Sequence, residues 1–140
     1  LFRSQRLALL TAESRYEDQA VGAIKLTLSM AANHPGAFGE LLHAVEFRLA
    51  TNREVALVGS DTSAFEQIFW QHFRPFDVIA GGEQADVALL QDRPTVDGEP
   101  TAYVCVGYVC DAPQTDPAAF AKQTNFRASR HHIRRTKIAA

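Results

Sequence analysis

The stretch "EVALVGSDTSAFEQIFWQHFRPFDVIAGG", residues 54–82, changes its period twice and so decides the fold class. "EVALVG" is a β-rich apolar run that ends at a glycine, and "FDVIAGG" is a second one closed by a glycine pair. Between them Ser60, Asp61, Thr62 and Ser63 offer capping oxygens, after which Phe65, Ile68, Phe69 and Phe73 mark one helix face. Strand, helix and strand of these lengths predict a βαβ crossover and the start of a small parallel sheet. Phe69 and Trp70 read as core or interface anchors of that helix.

Downstream, "ADVALLQDR", residues 85–93, fits a further strand or a short helical turn. "TVDGEPTAYVCVGYVCDAP", residues 95–113, holds an Asp-Gly turn and then two alternating runs. With Val106 and Gly107 as a two-residue turn, residues 101–110 form a hairpin in which Cys105 faces Tyr108 and Cys110 faces Tyr103. The two sulfurs are then diagonal neighbours, with Cβ atoms about 7 Å apart, whereas a disulfide wants roughly 3.5–4.5 Å. No helix start follows closely enough to lower a thiol pKa. This register favours two small core residues, and leaves Cys105 and Cys110 as candidates for redox chemistry. Asp116 as N-cap and Pro117 at the first helical position open a last short helix over "AAFAKQ".

Upstream, apolar residues to about Thr51 recur at helical steps, from Leu7 and Leu10 through Tyr16, Ala20, Ile24 and Leu28 to Leu41, Val45 and Leu49. Breaks fall at "TAES" and "NHPG", and Ser14 with Glu17 has the spacing of a capping box. Two antiparallel helices preceded by part of another are expected. Small residues near Tyr16, at Ala20 and Ala23, suit stacked helical hairpins. A single hairpin cannot bury both its faces, so its neighbours would come from the remainder of a larger polypeptide or from a homo-oligomer partner.

The expected organisation is a mixed α+β chain: a helical hairpin region over 1–52, a small α/β unit over 53–123, and a basic, flexible tail over 124–140. Of the 14 basic residues five lie in the tail, leaving nine against 16 acids in the body. An acidic body disfavours nucleic acid, which needs clustered Lys and Arg. No apolar run approaches the roughly 18–20 residues of a membrane span, and two cysteines are too few for a disulfide scaffold, so a soluble cytoplasmic protein is expected. The start "LFRSQRLALL" reads as the inside of a longer protein.

Other candidate sites are weaker. Gly59, Ser60, Thr62 and Ser63 run from a strand into a helix N-terminus, a place for an anion, but Asp61 would repel a phosphate and plain capping is favoured. In the tail, "RASRHHIRR" could follow a phosphate backbone, although a solvated end is the better reading. His34, His43 and His72 have no partner at ligand spacing, and adjacent His131 and His132 do not share a face, so no metal, cofactor or catalytic set is assigned.

"HPGAFGELLHAVEFRLA", "EVALVGS" and "VDGEPTAYVCVGYVCDAPQTDPAAF" together resemble the C-terminal end of thioredoxin-domain proteins of unknown function related to the spermatogenesis-associated thioredoxin-like protein. The characteristic residues are Asp97, Gly98, Pro100, Thr101, Ala102, Tyr103, Val104, Cys105, Cys110, Pro113, Thr115, Asp116 and Pro117. The resemblance covers roughly residues 1–123, and the basic tail departs from it. It implies that the helical region ends an (α/α)6 toroid and that the α/β unit is its appendage. The family's thioredoxin domain and its Cys-x-x-Cys lie outside this chain, and no family catalytic residue carries over. The function implied is that of a non-catalytic structural module.

Overall fold

A computed structural model of the chain describes residues 1–82 and 87–124. It divides into two compact units, and the chain passes from the first to the second between Thr51 and Asn52. Among the described residues the fold is mixed, with five α-helices and one four-stranded sheet.

The first unit is helical: α1 (Phe2–Thr11), α2 (Ser14–Asn33) and α3 (Gly39–Leu49), with a 3-10 turn at Pro35–Ala37 where Pro-Gly interrupts the helical period. Ile24, Ala31, Leu41 and Ala44 form its core, and the small Ala side chains let α2 and α3 approach. Phe2 meets the Phe47 ring edge-on at 5.1 Å, and Arg48 donates to Glu17 at 2.6 Å. That ion pair changes the role expected for Glu17. Ser14 is the first residue of α2 and Glu13 the cap, without a side-chain cap bond, so no capping box forms there.

The second unit is built on β1 (Arg53–Val58), α4 (Ser63–Trp70) and β2 (Asp77–Gly82), the βαβ crossover expected from the period changes. β1 and β2 pair in parallel, and the sheet continues as β3 (Thr101–Val106) and β4 (Val109–Cys110), antiparallel, in the order β2-β1-β3-β4. Val55 and Leu57 of β1, with Ala102 and Val104 of β3, pack against Phe65 and Phe69 of α4 and Phe120 of α5 (Pro117–Thr124). A one-turn 3-10 helix, Ala88–Leu90, lies against β1 and β2 and buries Leu89 and Leu90. The ambiguous "ADVALLQDR" is therefore a helical turn over its described part. With material on either side, β1 is buried at five of its six positions, the apolar run 55–58 and Glu54.

Two arginines and one aspartate fasten the ends of this unit. Arg53 faces Asp77 across the parallel pair and grips it with two bonds, at 3.1 and 2.8 Å. Arg74 approaches the same carboxylate at 3.7 Å and donates to the Phe69 carbonyl at 3.0 Å. Both arginines also donate to the Thr124 carbonyl, at 3.1 and 2.9 Å, which satisfies the open C-terminal end of α5. Thr124 thus belongs to the folded unit rather than to the tail, whose remaining residues 125–140 lie outside the described residues. Burial, then the neighbouring Arg53 charge, lower the pKa of the Arg74 guanidinium, against the opposing pull of Asp77.

The helix face expected at residues 65–73 is shorter than its periodicity implies. α4 ends at Trp70, so Phe73 falls beyond it and is 89% exposed; Trp70 is 66% exposed, its ring meeting Phe69 edge-on at 4.9 Å. Of the two residues read as core or interface anchors, Phe69 lies in the core and Trp70 does not.

Candidate functional site: a cross-strand cysteine pair beneath Arg93

Glu54, Cys105 and Cys110 occupy one rung of the sheet, Glu54 opposite Cys105 and Cys105 opposite Cys110. The cysteines are joined by a disulfide, with Cα atoms 3.8 Å apart. The diagonal arrangement expected from a Val106-Gly107 turn is corrected by one residue. Gly107 and Tyr108 are the turn, both left-handed at φ 59° and 64°, and Val106 pairs with Val109. This is the conformation of a type I′ turn, and a slip of one residue changes every partner across a hairpin. The Asp111 N–H donates to the Val104 carbonyl at 3.0 Å, so the cysteines fall at a non-hydrogen-bonded position, where opposed side chains come closest.

An aromatic at the second position of such a turn is disfavoured, and a distant residue holds it there. The Glu54 carboxylate, buried in β1, accepts the Gly107 N–H at 3.2 Å and the Tyr108 N–H at 2.9 Å, one on each oxygen. These bonds satisfy the buried carboxylate and fix the register of the hairpin.

Arg93 supplies the opposite charge. One guanidinium nitrogen lies 3.5 Å from Cys110 Sγ and 3.7 Å from Cys105 Sγ, while another donates to the Gln91 carbonyl at 3.1 Å. The guanidinium also sits 6.0 Å from the centre of the Tyr108 ring. Among the described residues no carboxylate makes an ion pair with Arg93, and its Nε is buried without a hydrogen-bond partner. A charge held this way favours an anion at the sulfurs, and a thiolate is the anion they can become.

The cysteines differ in access. Cys105 is 1% exposed, whereas Cys110 is half-buried and opens on a groove of about 650 Å³, whose described lining includes Gln91, Asp92, Arg93, Tyr103, Tyr108 and Asp111. The Tyr103 hydroxyl donates to the Pro94 carbonyl at 2.6 Å and pins the segment that carries Arg93. Sequence pattern marked the two cysteines but gave no sign of Glu54 or Arg93. Each reads alone as an ordinary charged residue, and only the strand pairing and the loop path bring them to the hairpin.

In the loop at Gly59, Ser60, Thr62 and Ser63, the donors of the last two residues have partners within the loop and helix. The Thr62 hydroxyl donates to Glu66 at 2.7 Å, and the Ser63 N–H donates to Asp61 at 3.1 Å. Hydrogen bonds from the Ser63 hydroxyl and then its N–H hold the Asp61 carboxyl below the usual carboxylate range. Thr62 is the cap of α4, without a side-chain cap bond, and the Asp61 carboxylate stands at the Ser63 N–H, where an anion would enter. Asp116 caps α5 as its sequence predicts, accepting from Ala118 and Ala119 at 3.0 and 3.2 Å.

His43 stacks on Phe2 at 5.7 Å, and among the described residues no three His, Cys, Asp or Glu side chains gather as a metal site. No described helix is long and apolar enough to cross a membrane. The basic stretch with His131 and His132 lies outside the described residues. Comparison with protein-family models, with curated proteins and with solved structures returned no match to this chain.

Proposed function

We propose that this chain acts as a non-catalytic structural module: the C-terminal part of a larger cytoplasmic protein of the thioredoxin-domain, (α/α)6-toroid kind, with its helical unit ending the toroid. The observation that carries this reading is the two-sidedness of α2. Ala20, Ile24 and Ala31 are buried on one side of the helix, while Leu26 and Met30, one turn apart on a stripe roughly 120° round the helix from them, are 81% and 56% exposed. A helix with a second apolar stripe suits a place between two layers, and among the described residues no layer covers that stripe. The remainder of a larger polypeptide, or a second copy through the helical hairpin, would supply it.

Light scattering on the isolated chain, with binding of a hydrophobic dye, tests the reading. Self-association or strong dye binding is expected, and both should fall on replacing Leu26 and Met30 with Glu. A clean monomer with little dye binding would overturn it. In the gene, a thioredoxin-like segment with Cys-x-x-Cys upstream is the matching expectation.

A second reading, redox activity through Cys105 and Cys110, is favoured by one specific observation: the Arg93 guanidinium lies on both sulfurs.

A further inference from the structure

We propose that Cys105, Cys110 and Arg93 form a thiol–disulfide exchange site, that Cys110 is the sulfur attacked, and that the co-substrate is a small thiol that is uncharged or carries an amine, not a carboxylated one.

Access selects Cys110, since Cys105 is 1% exposed and only Cys110 of the pair lines the groove. A thiolate entering the groove attacks Cys110 Sγ. The new sulfur–sulfur bond forms as the Cys105–Cys110 bond breaks, and the bonding electron pair leaves on Cys105 Sγ. Arg93, 3.7 Å away, stabilises that thiolate. A second thiolate then attacks the outer sulfur of the mixed disulfide and releases Cys110 as a thiolate, 3.5 Å from the same guanidinium. Two small thiols are oxidised to one disulfide, the protein pair gains two electrons, and the protons shed by the small thiols return through solvent to the cysteines. Oxidation of the pair by a small disulfide is the reverse sequence.

The other charges around the sulfurs set the preference. Glu54 faces Cys105 from β1 and opposes a thiolate, but its oxygens are bonded to the Gly107 and Tyr108 N–H groups. Asp92 and Asp111 are exposed on the groove, while Arg93 is engaged at the sulfurs and Gln91. A carboxylated thiol would therefore meet like charge on its way in. Tyr103 and Tyr108 add apolar ring surface. The fold does not rest on the bond itself: closing so short a loop contributes only about 2 kcal/mol by chain entropy, and Glu54 holds the turn independently.

The whole chain, equilibrated in graded cysteamine–cystamine buffers and quenched by alkylation for mass spectrometry, tests the proposal. The pair should reduce and reoxidise reversibly, with circular dichroism unchanged. Arg93→Gln should shift the equilibrium towards the disulfide and slow reduction, each by about tenfold, and Arg93→Lys should recover part of both. Relative to the rate of each thiolate with a small uncharged disulfide at low salt, cysteamine should react faster with the protein than mercaptoacetate. In the unsubstituted reduced protein, alkylation against pH should give a thiol pKa below the usual value of about 8.5. An Arg93→Gln protein with unchanged equilibrium, a thiol pKa at or above that value, loss of fold on reduction, or a larger relative rate for mercaptoacetate would each overturn the proposal; should Arg93→Gln fail to fold, the alkylation profile decides.

Discussion

Glu54 and Tyr108, 54 residues apart in the chain, are joined by a 2.9 Å hydrogen bond from the Tyr108 N–H to a carboxylate that is 1% exposed. The second oxygen of the same carboxylate takes the Gly107 N–H. One side chain of the central strand thus clamps both turn residues of the outer hairpin and sets Cys105 opposite Cys110.

Replacing Glu54 with Ala should therefore destabilise the protein by about 1–3 kcal/mol, the cost of removing a charged acceptor shared by two N–H groups. Glu54→Gln, which keeps one acceptor oxygen, should lose less. Urea denaturation of the oxidised proteins measures both, and equal midpoints for all three would refute the clamp.

Asp77 is the carboxylate that Arg53 and Arg74 share, and it is 4% exposed. Asp77→Ala takes the shared carboxylate away from two neighbouring guanidinium groups, a loss of about 3 kcal/mol, at the lower end for buried pairs because Arg53 is partly solvated. The expected sign is a large fall in the denaturation midpoint. A double change, Arg53→Met with Asp77→Leu, should recover part of it.

Gly59 stands at φ 126°, and a Cβ there would lie 2.9 Å from Pro100 Cα. Gly59→Ala combines that clash with a backbone conformation L-residues avoid, and should cost about 1–3 kcal/mol. Shortening the neighbour cannot relieve it, because the contact is with backbone. A thermal melt indistinguishable from that of the parent would show that the loop moves away freely.

The depressed Asp61 carboxyl gives a pH dependence with a definite sign. Its folded pKa is lower than its unfolded one, so it contributes stability above the unfolded value of about 3.9 and loses it as pH falls through the folded value. The stability gap between the parent and Asp61→Ala should be full near about pH 6 and close in acid. A gap that stays constant across the acid limb would mean the Ser63 bonds are not made to the charged form.

Gln5 is 5% exposed, and neither atom of its amide has a hydrogen-bond partner among the described residues. Gln5→Met keeps the volume and removes the unsatisfied groups, so a gain of about 1 kcal/mol is expected. A lower midpoint would show that the amide is satisfied in solution.

The βαβ unit was legible because each element obeys a local rule: an apolar run bounded by glycine, an aromatic face at helical steps, a second run closed by Gly81 and Gly82. The α5 cap was legible for the same reason, since Asp116 accepts N–H groups only two or three residues away and Pro117 presets the backbone of the first helical position. Where α4 stops and where the hairpin turns were not. Phe73 continues the aromatic period past the last helical turn, and Gly107 suits either position of a two-residue turn.

The sequence by itself determined the mixed fold class, the crossover and the existence of a terminal hairpin, because those follow from periodicity and turn chemistry over a few residues. Only the tertiary structure decided whether Cys105 and Cys110 meet. That outcome depends on a one-residue register set by the Glu54 carboxylate from β1, and the charge at the sulfurs comes from Arg93 on the loop ahead of β3. Neither is encoded near the cysteines: strand pairing makes opposite partners of residues far apart in the chain, and a buried carboxylate must find its donors wherever the fold brings them.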